Sequence, residues 1–250
     1  MLRVEGLGHQ FDGVEALAEL DLGVAEHDVV GLIGPNGSGK TTLLNMITGV
    51  YKPTAGRIRF RDRTISGLSP HEIVALGIAR TFQNLRIYDR MTVSDNIWVA
   101  QHSLLGLGEL FLSRADHSRR DREEVERLLE LVGLAERRDE LAQNLTLPDQ
   151  RRLELARALV RSPDLLLLDE PAGGMTPVET ENMAALIRDV ALPGRTCIII
   201  EHKMDFISAL CGRICVLNFG RKIAEGRPDE VLKHPRVLEA YLGMEVVSHA

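Results

Sequence analysis

A short apolar run, Val29-Val30-Gly31-Leu32-Ile33, leads directly into Gly34-Pro35-Asn36-Gly37-Ser38-Gly39-Lys40-Thr41, and a helical pattern continues to Ile47. Strand, glycine-rich turn and helix in that order constrain this chain more than any other stretch. Glycines at this spacing let successive backbone N–H groups turn inward around an anion, and the helix opening at Lys40 adds its positive dipole end. Lys40 is placed to reach β- and γ-phosphates, and the Thr41 hydroxyl to ligate Mg2+. The segment Gly34 to Thr42 is therefore expected to bind a nucleoside triphosphate, with ATP and Mg2+ as the bound species.

A second element of the same chemistry lies far along the chain. Leu165-Leu166-Leu167-Leu168-Asp169-Glu170 reads as a strand buried on both faces that ends in two acids. In a parallel sheet those carboxylates emerge at the edge where the phosphate loop must also lie. Asp169 is expected to hold Mg2+ and Glu170 to polarise an attacking water as general base. A third strand, Thr196-Cys197-Ile198-Ile199-Ile200, is followed by Glu201 and His202, which brings an imidazole to the same edge, able to touch a γ-phosphate. Read singly, His202 is a solvated or core residue at a strand end, Gln83 is uninformative, and Phe11 either stacks on a base or fills the core.

These strands make the class α/β. Ser69-Pro70-His71-Glu72 and Thr176-Pro177-Val178-Glu179 each carry a cap, a first-turn proline and a returning glutamate, so helices are expected from both. Residues 121–132 set Val125, Leu128, Leu129 and Val132 on one face before Gly133, again a helix. From about Gln83 to Leu145 the patterns are helical without a buried strand, which predicts a mainly helical insert. Leu104–His117, with Gly106 and Gly108, reads as a loop. Trp98 is either an anchor or a core residue. Arg119 to Glu124 read as a solvated helix face.

Composition narrows the partners. A formal net charge of −6 supplies no basic field for a nucleic-acid backbone, so nucleic acid is not expected. The longest apolar runs fall short of the ~20 residues of a membrane-spanning helix. Met1-Leu2-Arg3-Val4-Glu5 lacks the apolar core of a secretory signal, which points to a cytoplasmic location. Cys197, Cys211 and Cys215 are expected to be reduced core residues.

Taken in order, the phosphate loop, Gln83, the Leu145–Arg152 region, Asp169-Glu170 and His202 resemble the nucleotide-binding subunit of an ABC transporter over essentially the whole chain. Arg80-Thr81-Phe82-Gln83-Asn84-Leu85-Arg86, Arg151-Arg152-Leu153-Glu154-Leu155-Ala156-Arg157-Ala158-Leu159 and Pro235-Arg236-Val237-Leu238-Glu239-Ala240-Tyr241-Leu242-Gly243 look more specifically like importers of branched-chain amino acids and related solutes. A sister branch imports urea, and a more distant class comprises soluble ABC ATPases. The resemblance implies a P-loop NTPase core over about 1–82 and 160–250, a helical subdomain over about 84–159 and an antiparallel β portion near the N-terminus. It further implies adenine stacking by Phe11, contact of Gln83 with Mg2+ and water, and His202 as a switch histidine. Catalysis then rests on Glu170, His202, Lys40 and Gln83, and the metal on Thr41, Gln83 and Asp169. The implied partners are integral-membrane permease subunits meeting residues 84–115, a second ATPase subunit of the same or another kind, met head to tail across Gly174 to Pro177, and indirectly a solute-binding protein. The subunit would sit peripherally at the cytoplasmic face of the membrane. One departure stands out. The family's Leu-Ser-Gly-Gly-Gln is here Leu145-Thr146-Leu147-Pro148-Asp149, followed by Gln150. Thr146 keeps a hydroxyl that binds a partner's nucleotide, but Pro148 has no N–H to offer. A charge-assisted bond of that kind is worth about 1.5–3 kcal/mol, so the site completed on the partner is expected to be the weaker one.

Overall fold

The computed structural model describes residues 1–102 and 117–247. The chain opens with two long antiparallel strands, β1 (Leu2–Phe11) and β2 (Val14–Val24), and crosses to β3 (Val29–Ile33), the phosphate loop and α1 (Lys40–Ile47). It returns to the first sheet through β4 (Ala55–Phe60) and β5 (Arg63–Thr64), then forms α2 (Pro70–Ala75) and β6 (Ile78–Arg80). Three longer helices follow: α3 (Val93–His102), α4 (His117–Leu131) and α5 (Leu147–Leu159). The core resumes with β7 (Leu165–Asp169), α6 (Pro177–Leu186), β8 (Thr196–Ile200), α7 (Met204–Leu210), β9 (Arg213–Asn218) and β10 (Arg221–Gly226). Two helices, α8 (Pro228–Val231) and α9 (Pro235–Val247), close the described chain.

The strands form two sheets. One is antiparallel in the order β2-β1-β4-β5; the other runs β10-β9-β3-β8-β7-β6. From β9 to β6 every pairing is parallel, and only β10 runs antiparallel to its neighbour. Alternation along β7 explains its unbroken apolar sequence. Leu165 and Leu167 pack with α1 and the antiparallel sheet, whereas Leu166 and Leu168 pack with the helices on the opposite face. Ile198 and Ile200 go with the first group, Cys197 and Ile199 with the second.

Both capping boxes form. The Ser69 N–H donates to Glu72 Oε2 at 2.9 Å and the Thr176 N–H to Glu179 Oε2 at 2.8 Å. The helix expected over 121–132 begins earlier, at His117, and Gly133 at φ 72° ends it. Between Gln83 and Leu145 the described residues form no strand of either sheet; α3, α4 and α5 bury Val93, Ile97, Val125, Leu128, Leu129 and Leu153 together. The stretch read as a loop at Leu104–His117 lies, except for the start of α4, outside the described residues. Trp98, on α3, is 38% exposed, so it is not a core residue. Arg122 and Glu123 of the charge run are exposed on α4. Among the described residues no helix is long and apolar enough to cross a membrane.

All three cysteines are free and buried. Burial pushes the Cys211 and Cys215 thiols up to about 12 and holds the Cys197 thiol well above its usual value. At neutral pH the native chain should therefore release almost no thionitrobenzoate from Ellman's reagent, and the chain unfolded in guanidinium should release three equivalents. Rapid labelling of the native chain would contradict this packing.

Candidate nucleotide site

Three loops meet where β3, β7 and β8 end. The parallel register places Asp169 opposite Ile200 and Leu32 opposite the same Ile200, so the residues after each strand share one edge. The phosphate loop sits there under close backbone constraint. Gly34 has φ 147°, and a Cβ on it would lie 2.1 Å from the Leu217 carbonyl oxygen. Gly39, the residue before α1, has φ 103°, with the Ala16 carbonyl oxygen and Leu17 side chain within 2.8 Å of such a carbon. Neither position accepts a side chain. The loop is held on its outer side by the Gly220 N–H, which donates to the Ser38 carbonyl at 3.1 Å.

Lys40 is buried beneath this loop. Its Nζ donates to the carbonyls of Gly34 at 2.7 Å and Pro35 at 2.8 Å, and lies 3.3 Å from Ser38 Oγ. The ammonium is thus fixed inside the turn. Burial lowers its pKa, and the nearby charges of Glu170 and Asp169 oppose that shift. Pro35 is buried with Gly34, whereas Asn36, Gly37 and Thr41 are exposed and Thr42 half-buried.

Asp169 and Glu170 are adjacent yet have different surroundings. Asp169 is buried and paired through Oδ2 with Arg80 Nη2 at 2.7 Å. The same guanidinium donates to Asn45 Oδ1 at 2.7 Å, which ties β6, β7 and α1 together. Removing one member of a pair this buried costs about 3–5 kcal/mol. Glu170 turns away because its backbone is left-handed, at φ 51°. Its carboxylate accepts from Gln83 Nε2 at 3.0 Å, and its other oxygen lies 2.9 Å from His202 Nε2. The structure therefore brings Gln83, Glu170 and His202 into one hydrogen-bonded group beside Asp169. Hard oxygens on Thr41, Gln83 and Asp169 are the donor type that suits Mg2+.

The loop after Glu170 is anchored from beneath. Glu201 accepts from the Ala172 N–H at 2.9 Å, and Lys203 Nζ donates to the Ala172 and Met175 carbonyls at 3.1 and 3.0 Å. These anchors, like Arg80, carry no signal that sequence spacing reveals. Phe11 ends β1 and is 41% exposed, which removes the core alternative. It stands edge-on to His9 at 4.4 Å and to Tyr51 at 5.2 Å between ring centroids. His9 was within reach of sequence reading, since it lies two residues before Phe11 on the same strand; Tyr51 was not. Thr146 lies apart from the phosphate loop's group, at the start of α5, where its Oγ1 donates to Asp149 Oδ2 at 2.8 Å.

Known proteins place this arrangement. Residues 17–173 match the family described as ABC transporter, and residues 221–243 match the one described as branched-chain amino acid ATP-binding cassette transporter. The chain is 43% identical over 249 residues to the high-affinity branched-chain amino acid transport ATP-binding protein LivG of Salmonella typhimurium, covering 97% of this chain and 98% of that one. It is 42% identical to the corresponding BraF protein of Pseudomonas aeruginosa, with the same coverage. A crystal structure of a nucleotide-free ATP-binding cassette from an ABC transporter superposes with a TM-score of 0.84 at 32% identity, covering 96% of this chain and 98% of that one. An ADP conformation of an ATP-binding cassette also gives 0.84 at 32% identity, covering 97% and 98%. With the phosphate loop, the paired acids and the histidine at one sheet edge, the chain belongs to the ATP-binding cassette family of ABC transporter ATPases.

Proposed function

We propose that this chain is the ATP-hydrolysing subunit of an importer for branched-chain amino acids or a related small polar solute, working at the cytoplasmic face of the membrane against permease subunits. One observation carries the chemistry: the Glu170 carboxylate is held between Gln83 and His202 within the charge field of Lys40. The relatives' names support the solute class, and amino acids rather than urea.

In this reading Phe11, backed by Tyr51 and His9, offers a face for the adenine, and Gly34 to Thr42 wrap the phosphates. Lys40 meets the charge on the β- and γ-oxygens. Glu170 orients a water for in-line attack on the γ-phosphorus and takes its proton, and His202, bonded to that carboxylate, contacts the oxygens that gain charge. Thr41, Gln83 and Asp169 would hold Mg2+, whose charge supplements that of Lys40. The Arg80 pair is made through Oδ2 of Asp169, and Oδ1 is the oxygen proposed for this purpose. The exposed Trp98 on α3 lies within residues 84–115, the stretch proposed to face the permease.

A second ATPase subunit, head to tail, completes the machine, and here the segment from Leu145 to Asp149 matters. Thr146 spends its hydroxyl on Asp149, whose carboxylate is also paired with Arg137 at 2.6 Å and Arg152 at 3.5 Å. Pro148 occupies the first turn of α5, so one N–H of that helix end is missing. With a second subunit of another kind that carries the family's Leu-Ser-Gly-Gly-Gln, the site this chain completes on its partner is accordingly weaker than the one built on its own loop.

Two outcomes are expected. Glu170→Gln should keep ATP affinity, measured by fluorescent-nucleotide titration, while steady-state hydrolysis drops by about 100-fold or more; unchanged turnover would refute the role of Glu170. The combined variant Thr146→Ser, Leu147→Gly, Pro148→Gly and Asp149→Gln should raise turnover of the assembled transporter. The same rate as the parent would remove the asymmetry between sites.

A further inference from the structure

We propose that the buried Arg151–Glu154 pair on α5 is a positioning device for Gln83, clamping the backbone of Phe82 and Gln83 so that the Gln83 amide reaches Glu170. The inference rests on the reading of Gln83 and Glu170 given above.

After β6 the chain leaves the sheet and runs through Phe82 and Gln83 without regular structure. Backbone groups in such a stretch need partners wherever water is excluded. Here they come from a helix 68 to 72 residues further along the chain. The Phe82 N–H donates to Glu154 Oε1 at 3.0 Å. Arg151 Nη1 donates to the Phe82 carbonyl at 2.9 Å and Nη2 to the Gln83 carbonyl at 2.8 Å. The two side chains, one helical turn apart, are themselves joined at 3.2 Å, and both are buried. Three backbone groups around one peptide link are thus fixed by a single ion pair.

This arrangement is costly for a purely structural tie. Burying a carboxylate and a guanidinium carries a desolvation penalty that mutual attraction only roughly offsets, and apolar residues of the same volume often stabilise as well. Desolvation is the largest influence on Glu154 and raises its pKa. What an apolar pair cannot supply is direction. The planar fork of Arg151 meets two successive carbonyls at once, which fixes both the position and the orientation of the peptide between them. From that peptide the Gln83 side chain extends 3.0 Å short of Glu170 Oε2, and Glu170 is in turn 2.9 Å from His202.

The clamp also ties the start of α5 to the group around Glu170. Arg151 stands about one turn from Thr146 and Pro148 at the start of the same rigid helix. A shift of that helix end moves Arg151 and Glu154 with it, and the Phe82–Gln83 backbone follows. Placement of α5 is thereby linked to the geometry of the catalytic carboxylate through one ion pair and one amide.

The test is a mutant cycle on ATP hydrolysis by the full chain and by the assembled transporter, with fluorescent-nucleotide affinity and thermal stability measured alongside. Arg151→Lys keeps the charge but loses the fork. It should lower kcat by about 10-fold, as misplacement of a catalytic group does, with nucleotide affinity within about twofold. Gln83→Ala should lower kcat on its own. The double variant Gln83→Ala/Arg151→Lys should be no slower than Gln83→Ala alone, because Arg151 acts through Gln83. Losses that multiply, or an Arg151→Lys variant with parental kcat, would overturn the clamp. A Gln83→Ala variant with parental kcat would overturn the underlying reading of Gln83, a distinct result. Should Arg151→Lys fail to bind nucleotide, Glu154→Gln, which retains an acceptor for the Phe82 N–H, replaces it in the same cycle under the same criteria.

Discussion

Parallel pairing of β3, β8 and β7 is the constraint on which everything else depends. Because Val30, Ile198 and Leu166 lie on strands that run the same way, the turn after each strand opens at one edge, and the phosphate loop becomes a neighbour of two turns that lie more than a hundred residues further along the chain. The price is burial of both faces, which the chain meets with unbroken apolar strands and helices on one side and an antiparallel sheet on the other.

Gathering the turns also concentrates charge in a poorly solvated place. The protein answers each buried charge with a specific partner. Lys40 is satisfied by carbonyls of its own loop, Asp169 by Arg80, and Glu154 by Arg151 and a backbone N–H. Among the described residues, the carboxylate of the half-buried Glu170 is bonded by an amide and an imidazole, both exposed. Its environment is less committed than that of Asp169 or Glu154, which suits the group proposed to bind a water and accept its proton.

Much of this was legible in the chain itself. Residues with local signatures read correctly: the strand, glycine turn and helix around Lys40, the capping boxes at Ser69 and Thr176, and the all-apolar β7 and β8. Asp169, Glu170 and His202 could be assigned to one edge because strand ends in a parallel sheet share it. Arg80, Arg151 and Glu154 were not legible as partners, since each contact spans a separation of about 35 to 90 residues and no period encodes it. Tyr51 likewise reaches Phe11 only through the pairing of β1 with β4 and the turn before it. The departure at Pro148 was visible in sequence, but the capture of the Thr146 hydroxyl by Asp149 required coordinates.

The left-handed backbone of Glu170 has a consequence for how this position can evolve. A glutamate there sits in a conformation that costs a side-chain-bearing residue about 1–2 kcal/mol and that glycine or asparagine adopts readily. Substitutions that relax the turn would make the fold firmer while removing the carboxylate proposed as general base. Selection for robustness and selection for turnover therefore oppose each other at this residue, and its identity records which of them prevails.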